Sequence, residues 1–439
     1  MKELTALEAA HLIAAGQLTS ETVVRSCLER IKALEASVQA WEHLDADEAI
    51  AQARLADRSN IRGPLHGVPL AIKDVIDTMD MPTAYGSRIY RGHRPASDAT
   101  CVALARATGA IILGKTVTTE FGLGPSGKTR NPHNPAHTPG GSSSGSAAAV
   151  GCGMVPWAFG TQTWGSVIRP ASFCGIVGYK PTYGKADVTG IKTLAGGLDT
   201  LGLLARSVAD VGLLASVVTG GRIAAETLPQ TPRIGFLDTS PLGSLDPATQ
   251  NLLAETVRRL SQGGAQIHDV PSPASMASWP EILGLVYRWE MVQAFAWERL
   301  YRRDEFQPET RQAFERCERS ATPKSYEVGL ARANEARAGC ASLFTDCDVL
   351  LVPAAVGEAP EGFESTGDAR FNGVWSMLQL PCLTLPMGRG GAGLPIGLQL
   401  VGSRGEDARL LRAACFVEAC LAGTRLTSKS TPPSIRHSP

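Results

Sequence analysis

Positions 67–74 read Gly-Val-Pro-Leu-Ala-Ile-Lys-Asp, a short apolar run that ends in a lysine and an aspartate. Further short apolar runs lie at 110–113 and 175–177, and Gly, Pro, Ser and helical stretches such as 98–107 separate the runs. Strands that alternate with helices are typical of a sheet covered by helices on both faces. We therefore expect an α/β fold, with residues 61–425 forming its main domain.

Helical patterns precede and interrupt this main domain. Residues 1–60 predict a helical lead-in. Thr5 and Glu8 have the spacing of a capping box that opens a first helix, and the apolar stripe of a second helix lies between 23 and 34. Residues 274–345 are richer in Arg, Glu and Trp, and they predict helices inserted between elements of the sheet. Such an insertion could form a layer that covers a substrate.

Two further strand patterns and a polar tail complete the chain. Residues 233–237 and 266–270 read as strands, and Asp246 and Pro247 mark the start of a helix between them. This order predicts a strand-helix-strand unit. The tail at 426–439 is polar and contains Pro, so we expect it to be loose.

Composition narrows the class of protein. The chain of 439 residues is 44% hydrophobic, and its 42 basic and 42 acidic side chains balance, which disfavours nucleic acid or an anionic membrane as a partner. No apolar run reaches the roughly 18 residues of a membrane-spanning helix, and residues 1–16 are too polar for a signal peptide. We therefore expect a cytoplasmic protein. Its ten cysteines lack metal-ligand spacing, and we expect them to be reduced and mostly buried, without a bound metal.

Residues 109–116, Gly-Ala-Ile-Ile-Leu-Gly-Lys-Thr, fit the phosphate-binding pattern G-x-x-x-x-G-K-[ST]. That pattern works as a flexible loop after a strand, because its exposed backbone amides hold the phosphate. Here the four variable residues form the predicted strand themselves. We therefore discount ATP or GTP binding.

Residues 141–145, Gly-Ser-Ser-Ser-Gly, fit the nucleophile elbow of α/β-hydrolases, which would make Ser143 the nucleophile of a serine esterase. An elbow follows a strand directly, but residues 131–139 contain three prolines and cannot form one. The elbow also needs a downstream histidine, and His268 is the one that lies before the tail. A Ser-His-Asp esterase is therefore an alternative that the sequence disfavours.

Three separate segments together give the most specific signal. The first is 67–74, the second is 140–146, Gly-Gly-Ser-Ser-Ser-Gly-Ser, and the third is 160–175, Gly-Thr-Gln-Thr-Trp-Gly-Ser-Val-Ile-Arg-Pro-Ala-Ser-Phe-Cys-Gly. Their combination resembles the amidase signature family, strongly over residues 60–220 and more weakly over most of the chain. The resemblance implies a mixed central β-sheet flanked by helices on both faces and an amidohydrolase activity that needs no cofactor.

The resemblance also implies roles for individual residues. By their positions in the motifs, Lys73 would be the base, Ser142 would relay the proton from within a cis peptide, and Ser166 would be the nucleophile. The separations, 142 − 73 = 69 and 166 − 142 = 24, suit the family. Ser143 matches the neighbouring serine that supports this network. The oxyanion-hole positions are the backbone amides of Thr163, Trp164, Gly165 and Ser166.

The chemistry of such a triad makes its own demands on the lysine. A serine hydroxyl is a weak nucleophile and needs a base within hydrogen-bonding reach, and lysine can be that base only when neutral. Burial would have to lower the lysine pKa by roughly two to three units from about 10.4. The end of an apolar strand favours such burial for Lys73. The alternative is an ordinary ion pair of Lys73 with Asp74 or Asp77.

The third segment departs from the family pattern T-D-T-G-G-S-I-R-x-P. Gln162 replaces the acid and Ile168 replaces the arginine, while Arg169 follows one place later. Losing both charges together is what removal of a structural ion pair would produce, so we still expect an active enzyme. Trp164 replaces a glycine, and its ring would narrow the site or stack on a substrate unless it points into the core. Residues 371–375, Phe-Asn-Gly-Val-Trp, resemble the family's C-terminal stretch that lines the acyl pocket, so Trp375 is a weaker candidate for a wall of that pocket.

The leading hypothesis is an amidohydrolase that cleaves the C–N bond of a small amide, carbamate (urethane) or urea through an acyl-enzyme. Zero net charge and apolar residues such as Trp164 favour a neutral, hydrophobic or aryl substrate. A rival is an amidotransferase subunit that hydrolyses glutamine with partner subunits, and a third interpretation is a silent binding protein on this fold. The oligomeric state stays open, a homodimer included.

Overall fold

The computed structural model describes residues 4–223 and 231–423, and these residues build one mixed sheet of eleven strands. The predicted α/β class is therefore confirmed. In chain order the strands are β1 Trp41–Leu44, β2 Pro69–Lys73, β3 Ile111–Thr116, β4 Trp157–Gln162, β5 Val177–Lys180, β6 Thr200–Ala205, β7 Arg233–Leu237, β8 Gln266–Val270, β9 Val349–Pro353, β10 Cys382–Arg389 and β11 Pro395–Gly402.

The sheet has the strand order β1-β3-β2-β4-β6-β5-β10-β11-β9-β7-β8. Parallel pairs occur at two places, where β2 pairs with β3 and β4, and where β7 pairs with β8 and β9. The strands between β4 and β9 pair antiparallel. Because β2 and β4 are parallel neighbours, their carboxyl ends, Lys73 and Gln162, lie at the same end of the strands.

Helices cover both faces of this sheet. Alternate residues of β2 enter different apolar clusters, Leu70 and Ile72 in one and Ala71 in another, so both faces are buried. The α-helices of the described ranges are α1 Ala6–Ala14, α2 Ser20–Val38, α3 Ala46–Asp57, α4 Thr100–Ala107, α5 Ser144–Gly151, α6 Ile168–Cys174, α7 Val208–Val218, α8 Pro247–Gln262, α9 Trp279–Ala294, α10 Ala296–Tyr301, α11 Pro308–Glu318, α12 Pro323–Gly339, α13 Gly373–Met377 and α14 Asp407–Ala422.

Most of residues 4–60 are helical, in α1, α2 and α3. Thr5 and Glu8 form the capping box of α1: the Thr5 side chain accepts from the Glu8 amide, and the Glu8 side chain accepts from the Thr5 amide. Local sequence patterns did not indicate β1, which pairs antiparallel with β3 and forms an edge of the sheet. Residues 41–44 thus tie the lead-in to the main sheet.

The strand-helix-strand unit forms as predicted, and helices follow it in the chain. α9 to α12 lie between β8 and β9 in the chain, and α9 packs against α11, α12 and α13. β7, α8 and β8 make a parallel unit, with Pro247 at the first turn of α8. The tail at 426–439 lies outside the described residues.

The phosphate-loop pattern forms a buried strand, as the sequence predicts. Residues 111–116 form β3. The Lys115 Nζ donates a hydrogen bond to the Ile76 carbonyl at 2.7 Å and forms an ion pair with Asp74 at 3.3 Å. All ten cysteines are free thiols. Within residues 4–223 and 231–423, no helix has the length and apolar character needed to cross a membrane.

Candidate active site

Lys73 ends a strand whose every residue is buried, and it is itself 1% exposed. Its Nζ lies 2.7 Å from Ser142 Oγ and 2.8 Å from Thr161 Oγ1. Burial lowers the pKa of Lys73 to about 7, although the charge of Asp199 acts in the opposite direction. A substantial share of this lysine is therefore neutral at neutral pH.

The ion pair considered for Lys73 does not form. Asp74 instead lies 3.3 Å from the buried Lys115, and Asp77 accepts a hydrogen bond from the Tyr85 hydroxyl at 2.8 Å. The hydrogen bonds of the Lys73 amine go to two hydroxyls, Ser142 and Thr161. The carboxylates that follow Lys73 in sequence are thus occupied elsewhere.

The Ser142 loop precedes α5 and contains a cis peptide bond between Gly141 and Ser142. Ser143 connects this loop to its surroundings in two ways. Its hydroxyl lies 3.3 Å from both the backbone N and O of Thr161, and its amide donates to the carbonyl of Ser166 at 3.4 Å. The residue predicted to support the network therefore joins the two serine loops.

The Ser166 loop connects β4 to α6. The backbone amides of residues 163–166 in this loop face no acceptor within residues 4–223 and 231–423, so a run of consecutive N–H groups is available to a ligand. The Ser166 hydroxyl, on a half-buried residue, likewise makes no hydrogen bond to the described residues. Unpaired amides beside a free hydroxyl are the arrangement that can hold a developing oxyanion during attack on a carbonyl. These amides belong to Thr163, Trp164, Gly165 and Ser166.

Gln162 shows how this chain accommodates the loss of the family's acid. Its Oε1 accepts from the amides of Val167 at 3.0 Å and Ile168 at 3.1 Å, so it fixes the start of α6. Ile168 is fully buried in an apolar cluster with Leu283. A neutral acceptor and an apolar side chain thus fill the two altered positions without leaving a buried charge there.

The two tryptophans lie in different surroundings. Trp164 is half-buried; its ring meets Tyr287 of α9 edge to face, with 5.6 Å between centroids, and it also packs beside Gly373. Trp375 is 0% exposed, packs against Trp279, and donates its indole N–H to the Phe371 carbonyl at 2.9 Å. This corrects the prediction that Trp375 is a pocket wall, because a fully enclosed ring presents no surface to a substrate.

Asp199 is a residue of this site that sequence reasoning missed. Antiparallel pairing of β4 with β6 brings the start of β6 beside Gln162, and Asp199 precedes that start. Its carboxylate accepts from the Thr163 hydroxyl and from the Leu194 and Ala195 amides, while burial raises its pKa to about 6. One aspartate among many carries no local signal, since only the strand pairing brings it here.

The esterase alternative fails on distance. Ser143 contacts β4, the fourth strand of the sheet, whereas His268 lies in β8, the eleventh. Seven strand spacings of about 4.8 Å separate them by roughly 30 Å, far beyond hydrogen-bonding reach. His268 therefore cannot act on Ser143.

Comparisons with known proteins agree with this geometry. The family model described as Amidase matches residues 22–411. A glutamyl-tRNA(Gln) amidotransferase subunit from Chloroflexus aurantiacus is 33% identical, over 94% of this chain and 95% of that protein. A crystal structure of an amidase superposes with a TM-score of 0.87 at 29% identity, covering 95% and 99% of the two chains. The peptide amidase of Stenotrophomonas maltophilia superposes with a TM-score of 0.81 at 27% identity, covering 97% and 98%.

Fold and relatives together define an enzyme class, the hydrolases of carbon–nitrogen bonds. Because the family match spans most of the sequence, the chain belongs to the amidase signature family.

Proposed function

We propose that this protein is an amidohydrolase that works through an acyl-enzyme formed on Ser166. The observation that carries the proposal is the 2.7 Å contact between a buried Lys73 amine, with a pKa of about 7, and the Ser142 hydroxyl. A neutral amine at that distance can accept the serine proton. The Ser143 amide, bonded to the Ser166 carbonyl, keeps the second serine loop beside the first.

The first half of the reaction forms the ester. Ser166 Oγ attacks the substrate carbonyl carbon, and its proton passes to Ser142 while the Ser142 proton passes to Lys73. The free amides of residues 163–166 donate to the negative oxygen that forms. The C–N bond then breaks, and the proton on Lys73 returns through Ser142 to the leaving nitrogen.

The second half regenerates the enzyme. Water attacks the ester carbonyl and gives its proton to Lys73 through the same relay. The bond from the acyl carbon to Ser166 Oγ then breaks, the proton returns through Ser142 to that oxygen, and the acid leaves. Amides, carbamates and ureas all offer a planar carbonyl bonded to nitrogen, so the same steps apply to each. A urea cleaved in this way would be released as a carbamic acid, and a urethane cleaved at its C–N bond would be released as a carbonic acid monoester. Both products lose carbon dioxide.

The surroundings of the site support a neutral substrate with an aryl or other flat apolar group. Trp164 and Tyr287 present aromatic surface next to the Ser166 loop. Gly122 lies beside Ser142, because a methyl carbon added to Gly122 would be 3.4 Å from Ser142 Oγ. Aromatic side chains favour flat apolar groups through edge and face contacts. The proposed enzyme acts in the cytoplasm on a small molecule, and a homodimer remains a prediction.

Covalent labelling tests the mechanism. A fluorophosphonate should modify the wild-type protein once, at Ser166, and the Ser166→Ala variant should stay unlabelled. A screen of anilides, aryl carbamates, aryl ureas and short aliphatic amides then defines the substrate class. No labelling of a folded wild-type protein would overturn the proposal and favour a silent binding protein.

The rival function is a glutamine-hydrolysing subunit of a tRNA-dependent amidotransferase. The 33% identity to a relative named as an amidotransferase subunit favours considering it. Purified chain that hydrolyses anilides or carbamates alone would support the independent enzyme. Activity confined to glutamine and dependent on added partner subunits would support the rival.

A further inference from the structure

Arg169 lies in the first turn of α6 with its guanidinium buried, at 5% exposure. Its Nε donates to the Thr366 carbonyl at 2.7 Å, and its Nη2 donates to the Gly141 carbonyl at 2.7 Å and to Thr366 Oγ1 at 2.9 Å. A buried cation is costly unless acceptors surround it. Oxygen atoms from two separate loops therefore hold this arginine.

The acceptors of this guanidinium are neutral. Asp368, whose charge acts on Arg169, is itself bound by Arg370 at 2.5 Å, and no carboxylate hydrogen-bonds to Arg169 within the described ranges. Burial lowers the pKa of Arg169 to about 10, which leaves it protonated at neutral pH. Arg169 is thus a permanent cation whose hydrogen bonds serve loop geometry rather than an ion pair.

The same side chain touches the residue that precedes each serine. Gly141 precedes Ser142 and supplies the carbonyl bonded by Arg169. Gly165 precedes Ser166, and a methyl carbon placed on it would lie 3.0 Å from Arg169 Nη1. The guanidinium therefore packs between the Ser142 loop and the Ser166 loop.

The altered sequence at the start of α6 explains why residue 169 takes this place. Gln162 fixes the amides of Val167 and Ile168, and Ile168 enters the apolar cluster. Successive side chains of a helix point about 100° apart, so Arg169 leaves that cluster and turns to Gly141. The positive charge expected to be lost with the family's arginine has therefore moved by one residue.

We infer that Arg169 is a positioning residue that fixes the Ser142 loop against the Ser166 loop, an inference that rests on the proposed function. By holding the Gly141 carbonyl, it keeps the Ser142 hydroxyl at Lys73. By packing on Gly165, it keeps the Ser166 hydroxyl and the loop amides in place. The Arg169 nitrogens donate to backbone carbonyls and to Thr366 and not to the serine hydroxyls, so Arg169 affects the reaction by holding the two serine loops.

The test compares Arg169→Met with Arg206→Met. Arg206 also donates to backbone carbonyls, those of Leu4 and Val155. It follows β6, however, and so lies at the end of the strands opposite to Lys73 and Gln162. Displacing a reacting group by about 1 Å costs roughly 100-fold in rate. Arg169→Met should therefore lower kcat, and the rate at which a fluorophosphonate labels Ser166, by about that factor, while KM stays nearly unchanged. Arg206→Met should lower the melting temperature alone.

The outcomes distinguish failure of the Arg169 positioning role from failure of the proposed amidohydrolase function. An unlabelled wild type means that the proposed function fails. A labelled wild type with Arg169→Met labelled equally fast means that only the positioning role fails. If Arg169→Met does not fold, Thr366→Val decides, because it removes one acceptor and retains the charge: a several-fold slower labelling rate supports the inference, and an unchanged rate overturns it.

Discussion

The amine of Lys73 and the hydroxyl of Ser142 lie 2.7 Å apart, although 69 residues separate them in the chain. The end of β2 supplies the lysine and the loop before α5 supplies the serine. Both residues are buried, at 1% and 5% exposure, so bulk water does not compete for the contact. This pair is the part of the site whose disruption should be felt most directly.

Replacing Lys73 by alanine should abolish turnover while the fold persists, because the proton acceptor is lost and little apolar packing goes with it. We expect a fall in kcat of roughly a thousandfold or more, with labelling of Ser166 slowed in parallel. Circular dichroism and melting temperature serve as the control for folding. Wild-type kcat in the folded variant would refute the lysine as base.

The pH dependence of the wild-type enzyme should follow the same lysine. Its pKa is lowered by burial to about 7, and only the neutral form can accept a proton, so kcat/KM should rise with pH and level off above a midpoint near 7. A pH series with a neutral substrate measures this directly. A midpoint near 10, the usual value for lysine, would contradict the burial effect.

Asp199→Asn should shift that midpoint to lower pH. The carboxylate charge favours protonated Lys73, so its removal makes the amine easier to deprotonate. Stability should also fall, because asparagine keeps one accepting oxygen where the carboxylate uses two, one for the Thr163 hydroxyl and one for the Leu194 and Ala195 backbone N–H groups. An upward shift would mean that Asp199 acts on Lys73 in some other way.

His268→Ala should leave activity within about twofold of the wild type, as expected for a residue on a distant edge strand. Ser143→Ala should be slower by about tenfold, since it removes a hydroxyl bonded to the Thr161 backbone but spares the relay. Steady-state kinetics of the two variants give the comparison. A thousandfold loss in both would restore the esterase alternative.

Trp164→Gly should change substrate preference more than stability. Its half-buried ring meets Tyr287 beside the Ser166 loop, so removal should weaken aryl substrates and favour bulky aliphatic amides. Trp375→Ala is the matched control, since truncation of a fully buried tryptophan costs about 3–5 kcal/mol and should depress the melting temperature instead. Uniform loss on all substrates with strong destabilisation in Trp164→Gly would assign its ring to the core.

Local patterns in the sequence determined the elements and the three motifs. Strand and helix signals such as the 67–74 run, the Thr5 capping box and Pro247 depend on near neighbours in the chain, and each formed as predicted. The prediction that Lys73 and Ser142 act together came from the family resemblance of the motifs. The short strand at 41–44 was missed because it is held by pairing with β3 more than by its own pattern.

Only the tertiary structure decided which distant groups meet and which side chains are enclosed. The pairing of β4 with β6 placed Asp199 beside Thr163, and the turn of α6 carried Arg169 to Gly141. Packing also enclosed Trp375 while leaving Trp164 half open. Such contacts join residues that are far apart in the chain, so their geometry depends on strand order and helix packing, which no local pattern of residues specifies.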